Sequence, residues 1–162
     1  DKSFIFPRQS QQENLCLTDY FRSSQANTVA FQIVSIGAKA AEFVSSLYQA
    51  GKFDEYLYHY GLATEATEAL AEYAHARIRQ ELGFAAEDHK DYSKLIKTNY
   101  HGMRYSFGYP ACPNLEDQQI LFDLLKPERI GLELSEEFQI HPEHSTSAIV
   151  VHHPDAKYFN IR

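Results

Sequence analysis

The residue types best suited to chemistry are concentrated in the run Arg104-Tyr105-Ser106-Phe107-Gly108-Tyr109-Pro110-Ala111-Cys112-Pro113. A guanidinium can hold a carboxylate through two parallel N–H donors, so Arg104 offers an anchor for an acidic ligand. Gly108 allows another molecule to come close to the backbone, and Tyr109, standing before a proline, is pushed to an extended conformation. In an extended chain Arg104 and Gly108 face the same side. The segment is therefore expected to present unpaired backbone groups beside a cation. An arginine paired with a neighbouring acid next to a proline-rich turn would have the same composition, and the residues alone do not separate the two readings.

Other candidates carry less. Eight histidines invite a metal hypothesis, and His141, His144, His152 and His153 cluster in the sequence. Adjacent strand residues point to opposite faces, so His152 and His153 cannot ligate one ion without distortion, and no metal site is expected. Cys16 and Cys112 are too few and too far apart for a disulfide framework or a CxxC motif, which fits a reducing, cytoplasmic setting. Cys112 could be a thiol nucleophile, but it lies between Ala111 and Pro113 with no helix start after it, so a packed free thiol is expected. The sequences GxGxxG, GxSxG, HExxH, the P-loop and Asp-x-His-x-x-Gly are missing. No catalytic acid–base or nucleophilic dyad is assigned.

These residues need elements to hold them. From Thr28 to Ile36, Val29, Phe31 and Ile33 alternate in a β-branched run that predicts a strand internal to a sheet. Ala38 to Ala50 changes to helical spacing, with Gly51 where a C-terminal cap belongs. The longest helical pattern starts near Phe53 and continues to Gly83, with an apolar stripe from Tyr56 and Leu57 to Ala74 and Ile78 and a possible break at Gly61. Its other face carries Glu65, Glu68, Glu72, His75 and Arg79 at offsets of three and four, a line that reads as solvated. Residues 85–91 form a polar connector, a short helix is expected around Ser93 to Asn99, and a further helix runs from Leu115 to Leu125 with Asn114 and Asp117 at its start. Strands are expected at Ile130 to Leu134, Ser147 to His152 and Lys157 to Ile161. Strands not regularly interleaved with helices point to an α+β fold with a mixed or antiparallel sheet.

Composition bounds the rest. The 162 residues suit one domain, and 44% hydrophobic residues supply a core. Fifteen Lys and Arg against 22 Asp and Glu give a net charge of −7, which disfavours nonspecific nucleic-acid binding. The longest apolar run, Ala148 to Val151, is far short of the roughly 20 residues of a membrane span.

The run Arg-x-x-x-Gly-Tyr-Pro-Ala-Cys-Pro resembles the signature of the activation domain of cobalamin-dependent methionine synthase. Five further stretches resemble that family in order along the chain: Phe6-Pro7-Arg8-Gln9, Cys16 to Phe21, Glu68 to His75, Gly131 to Glu136 and His153 to Tyr158. The resemblance implies a C-shaped α+β domain over residues 1–162, with a twisted antiparallel sheet, flanking helices including one long helix, and a shallow groove for S-adenosylmethionine. It implies that Arg104 holds the ligand carboxylate and that Gly108, Tyr109, Pro110 and Ala111 contact the adenine and ribose side through their backbone. Tyr158 would lie in the groove, Phe159 would stand where some relatives have a second tyrosine, and the charge of Glu68 would suit a sulfonium or ammonium group. In the family the domain extends further toward the amino terminus, where a Gly-Asp-Asp segment supplies an aspartate, and the chain is expected to lack that part.

The implied function is reductive reactivation of cobalamin. A flavodoxin-like donor supplies one electron, S-adenosylmethionine supplies the methyl group, and the cobalamin is held mainly by a partner domain or subunit. Alone, the chain would be a binding module. The alternative is a stand-alone S-adenosylmethionine-binding or regulatory protein without methyl transfer; a reading frame fused to or beside a cobalamin module would favour reactivation over it.

Overall fold

The computed structural model describes residues 2–10, 13–24, 27–95, 97–98 and 100–161. Its centre is a three-stranded antiparallel sheet of order β1-β5-β2, formed by β1 (Ala30–Ser35), β2 (Met103–Ser106) and β5 (Ser145–Val151). Helices α1 (Ala38–Gln49), α2 (Phe53–Glu81), α3 (Tyr92–Leu95) and α4 (Gln118–Leu125) flank it. A second antiparallel pair joins β3 (Glu133–Leu134) to β4 (Ile140–His141).

The register divides the sheet into two faces. Tyr105 and Phe31 both pair with Ile149, and Met103 pairs with Val151, so these side chains share one face. They pack on the main core with Leu17, Phe107, Cys112, Leu121 and Phe159. Arg104 pairs with Val150, Ser106 with Ala148, and Gln32 again with Ala148, which places these three on the opposite face. That face meets α2, where the Gln32 amide donates to the Ala71 carbonyl at 3.2 Å. The helix lies close because its buried row runs Ala63, Thr67, Ala71, His75 and Arg79 at steps of four, beginning with small residues.

The expected helices form with close bounds, and their ends explain why. At the end of α1 the Gly51 N–H donates to the Tyr48 carbonyl and the Lys52 N–H to the Leu47 carbonyl, each at 3.0 Å, with Gly51 at φ +71. This paired closure is the one glycine makes easy. Gly61 does not interrupt α2: a glycine inside a helix costs about 1 kcal/mol, too little against the packing of a 29-residue helix.

β1, expected inside a sheet, is an edge of its three-stranded sheet, since among the described residues it pairs with β5 alone. Its β-branched composition reflects cover on both faces, which in a sequence looks the same as pairing on both edges. Ile130 to Leu134 is a 3₁₀ turn, Pro127–Ile130, followed by the two-residue strand β3. Lys157 to Ile161 forms no strand and is tied down by bonds from the Ser10 N–H to the Ile161 carbonyl and from the Gln9 amide to the Asn160 carbonyl. The first turn of the Leu115 helix is 3₁₀. The helix expected around Ser93 to Asn99 is the single turn α3, and residues 96 and 99 lie outside the described residues. The lead-in is irregular apart from a 3₁₀ turn at Leu17–Tyr20, yet Cys16 and Leu17 are buried in the core.

Candidate functional site

Strand β2 carries Arg104 on the sheet face that looks to α2, and α2 brings two acids to it one helical turn apart. Arg104 Nη1 donates to Glu72 Oε2 at 2.5 Å, and Nη2 lies 3.4 Å from Glu68 Oε2. Burial opposes the Arg104 charge, but the hydrogen bond and negative charge of Glu72 more than offset it and hold the guanidinium above its ordinary pKa. The Tyr100 hydroxyl also donates to Glu72 Oε2, at 3.0 Å. Burial, reinforced by the Glu72 charge, keeps that phenol protonated well above the ordinary tyrosine range.

Behind this layer lies a second one. Arg79 is 2% exposed and pairs with Asp88 through Nε at 2.8 Å and Nη2 at 2.9 Å, reaches Glu72 Oε1 at 3.5 Å, and lies 3.9 Å from the Tyr100 ring centre. His75 packs edge-on against Tyr100 at 5.0 Å. Burial, with Arg79 and Arg104 nearby, lowers its pKa to about 3, so it is neutral. The line expected to be a solvated face is solvated only at its amino-terminal end. At Glu72 it turns into the protein, because the buried row of α2 and the acidic line converge on the same side as the helix advances.

The groove above Arg104 has a volume of about 420 Å³ and is lined by Glu68, Thr98, Tyr100, Arg104, Tyr109 and Tyr158, with Met103 and Ser106. A second cavity of about 320 Å³ shares Glu68 and Tyr109 with it and extends toward Tyr60, Glu143 and His144. There the Tyr60 hydroxyl donates to Glu143 Oε1 at 3.1 Å, and that bond and the carboxylate charge raise the tyrosine pKa.

Four of the residues singled out in the sequence thus meet in one groove: Glu68, Arg104, Tyr109 and Tyr158. The other four stand differently. Gly108, at φ +87, forms a turn rather than continuing the strand, so it does not share an extended face with Arg104. Its N–H donates to the Cys112 carbonyl at 2.8 Å, and the Cys112 N–H donates to the Tyr109 carbonyl at 2.9 Å, so the backbone here is paired rather than open. Pro110 is exposed on that turn. The side chains of Ala111 and Phe159 are in the core, Phe159 against Tyr105, which leaves only their backbone for a ligand.

Glu72, Tyr100 and Ser106 were not singled out in the sequence. Strand alternation from Arg104 reaches Ser106, but neither periodicity nor charge distinguishes Glu72 from Glu65. Cys112 is 1% exposed, and burial together with the Asp117 charge raises its thiol pKa to about 12, which makes it a packed residue and no nucleophile. Among the histidines, His144 packs on Tyr60, while His152 lies against Phe84, near His101 and His153.

The fold is of the α+β class, a sheet covered by a long helix on one face, with a charged groove where helix and strand meet. The chain belongs to the family of the vitamin B12 dependent methionine synthase activation domain, which it matches over residues 5–162. It is 46% identical over 171 aligned positions to methionine synthase of Mycobacterium tuberculosis and 45% identical to that of Mycobacterium leprae, in each case across 98% of this chain and 14% of the relative. The chain therefore spans about one seventh of the length of these relatives. Among solved structures, a crystal structure of the MetH reactivation domain bound to AdoHcy superposes with a TM-score of 0.87 at 29% identity, covering 96% of this chain and 51% of the other.

Proposed function

We propose that the chain is the S-adenosylmethionine-binding part of a methionine synthase, serving reductive methylation of its cobalamin. The observation that carries this reading is the pairing of opposite charges on one groove. S-adenosylmethionine has a carboxylate, an ammonium and a sulfonium, and the groove sets the Arg104 guanidinium beside the exposed Glu68 carboxylate. Arg104 holds the carboxylate through the Nη2 edge that Glu68 contacts only loosely, and Glu68 turns to the cationic groups. Tyr109 and Tyr158, each more than half exposed, flank the adenine and ribose. The backbone of Tyr109, Pro110 and Ala111 completes that side, while the Gly108 N–H stays with Cys112 and fixes the turn.

Bound S-adenosylmethionine supplies a methyl group on a sulfonium. The contribution of the protein is position: an in-line displacement needs no general acid or base, and orientation alone turns an encounter into a nearly unimolecular step. The cobalamin is assigned to a partner domain and the electron to a flavodoxin-like donor in the cytoplasm. No nucleic acid or membrane is involved in this reading, and among the described residues no helix is long and apolar enough to cross a membrane.

Calorimetry on the polypeptide that carries this chain tests the assignment. Arg104→Ala is expected to weaken S-adenosylmethionine by about 2 kcal/mol or more, because a charged partner is left unpaired. Equal affinity in both proteins would remove Arg104 from the site.

A further inference from the structure

We propose that Glu72 is the positioning residue of the groove: it fixes the Arg104 guanidinium so that one edge is presented to a ligand carboxylate. The proposal rests on the S-adenosylmethionine reading for its ligand and on the ion-pair geometry for its mechanism. An arginine side chain has many rotamers, and a site that leaves it free must order it on every binding event. Here Glu72 does the ordering beforehand. Its Oε2 receives both Arg104 Nη1 and the Tyr100 hydroxyl, and its Oε1 faces Arg79.

Arg79 in turn is anchored by Asp88, so the chain of contacts runs from Asp88 through Arg79 and Glu72 to Arg104. Exposure separates the two acids that touch Arg104. Glu72 is 18% exposed and Glu68 57%, so water competes with the second pair far more than with the first. The Nη1 contact is short and sheltered, whereas the Nη2 contact, at 3.4 Å, is long and open to the groove. A ligand carboxylate can therefore replace Glu68 at Nη2 while Glu72 keeps Nη1. Without the Glu72 charge, Arg104 would turn to Glu68, and the two would close on each other across the groove.

The test compares S-adenosylmethionine with its decarboxylated analogue, which keeps the sulfonium and amine but lacks the carboxylate. Wild-type protein should prefer the carboxylate-bearing ligand. Glu72→Gln should reduce that preference about tenfold, and it should add nothing further in an Arg104→Ala background. Tyr100→Phe, which leaves both carboxylates and both arginines in place, should reduce the preference by a smaller factor, and it decides the matter if Glu72→Gln does not fold. A purely structural role would weaken both ligands alike, so an unchanged ratio in these variants overturns the proposal. If wild-type protein shows no preference, the reading of Arg104 as a carboxylate clamp falls. The positioning role is then decided without ligand by nitrogen NMR of the Arg104 guanidinium: slow rotation about its Nε–Cζ bond that is lost in Glu72→Gln sustains it, and rotation that does not change overturns it.

Discussion

Glu68 and Glu72 stand one helical turn apart, yet one carboxylate is mostly in water and the other is enclosed by two arginines and a tyrosine. The same side chain thus takes two tasks. In the proposed reading Glu72 sets the geometry of Arg104, while Glu68, which contacts Arg104 only at 3.4 Å, turns toward a cationic group of the ligand. S-adenosylhomocysteine keeps the amine and carboxylate of S-adenosylmethionine but lacks the sulfonium charge, so Glu68 should help the protein tell the two apart. Glu68→Gln should shrink the affinity ratio between these ligands about two- to five-fold, the range of a partly screened charge pair, and Glu65→Gln should leave it as it is. A ratio that survives Glu68→Gln in calorimetric titrations would return Glu68 to the solvent. In the sequence both acids obey one spacing, and only the family resemblance separates Glu68. Nothing local marks Glu72, because its burial depends on Tyr100 and Arg104, which arrive from a strand and loop about 30 residues later.

At the scale of elements, the turn after β2 decides where the aromatic wall of the groove stands. Gly108 holds a positive φ of +87, and an added Cβ would meet Leu115 Cδ2 at 2.9 Å. A leucine tip can give way, but the backbone angle cannot, so the main cost is conformational. Gly108→Ala is expected to lower stability by about 1–2 kcal/mol, as read from urea unfolding midpoints. A variant that keeps full stability but binds S-adenosylmethionine poorly would instead show that the space beside Gly108 belongs to the ligand.

Helices α1 and α4 were legible because periodicity and end signals such as Gly51 and Pro127 are local. The extent of α2 was legible too, but its buried row is Ala63, Thr67, Ala71, His75 and Arg79 rather than the apolar stripe through Leu57, which is exposed. Strand β5 was legible from its apolar run. The edge position of β1 was not, since cover by α2 on one side and by Phe4 and other core aromatics on the other makes an edge strand as apolar as a central one. The two-residue strands β3 and β4 are too short to leave a period.

For the molecule as a whole, the buried layer between α2 and the sheet ties stability to pH. His75 has a folded pKa of about 3 against an ordinary 6.5, with Arg79, Arg104, Glu72 and Tyr100 around it. The unfolded chain takes up this proton where the folded one refuses it, so the contribution is complete above about pH 6.5 and declines as pH falls toward 3. Between pH 7 and pH 5 the loss from this group should reach about 2 kcal/mol. Urea unfolding midpoints should fall accordingly in wild-type protein and much less in His75→Gln. Parallel pH profiles for the two proteins would show that His75 is protonated without cost.

The strand order β1-β5-β2 has a bearing on how the chain is made. Both outer strands pair with β5 and neither pairs with the other, while β5 comes last of the three in the chain. During synthesis, at roughly 5–20 residues per second, β1 leaves the ribosome several seconds before its partner exists. Until Ser145–Val151 emerges, β1 and β2 have no strand between them, and Arg104 has no finished sheet to hold it against α2. The groove beside Arg104 is therefore completed late in translation, and a stalled nascent chain exposes the unpaired edges of β1 and β2 to its neighbours.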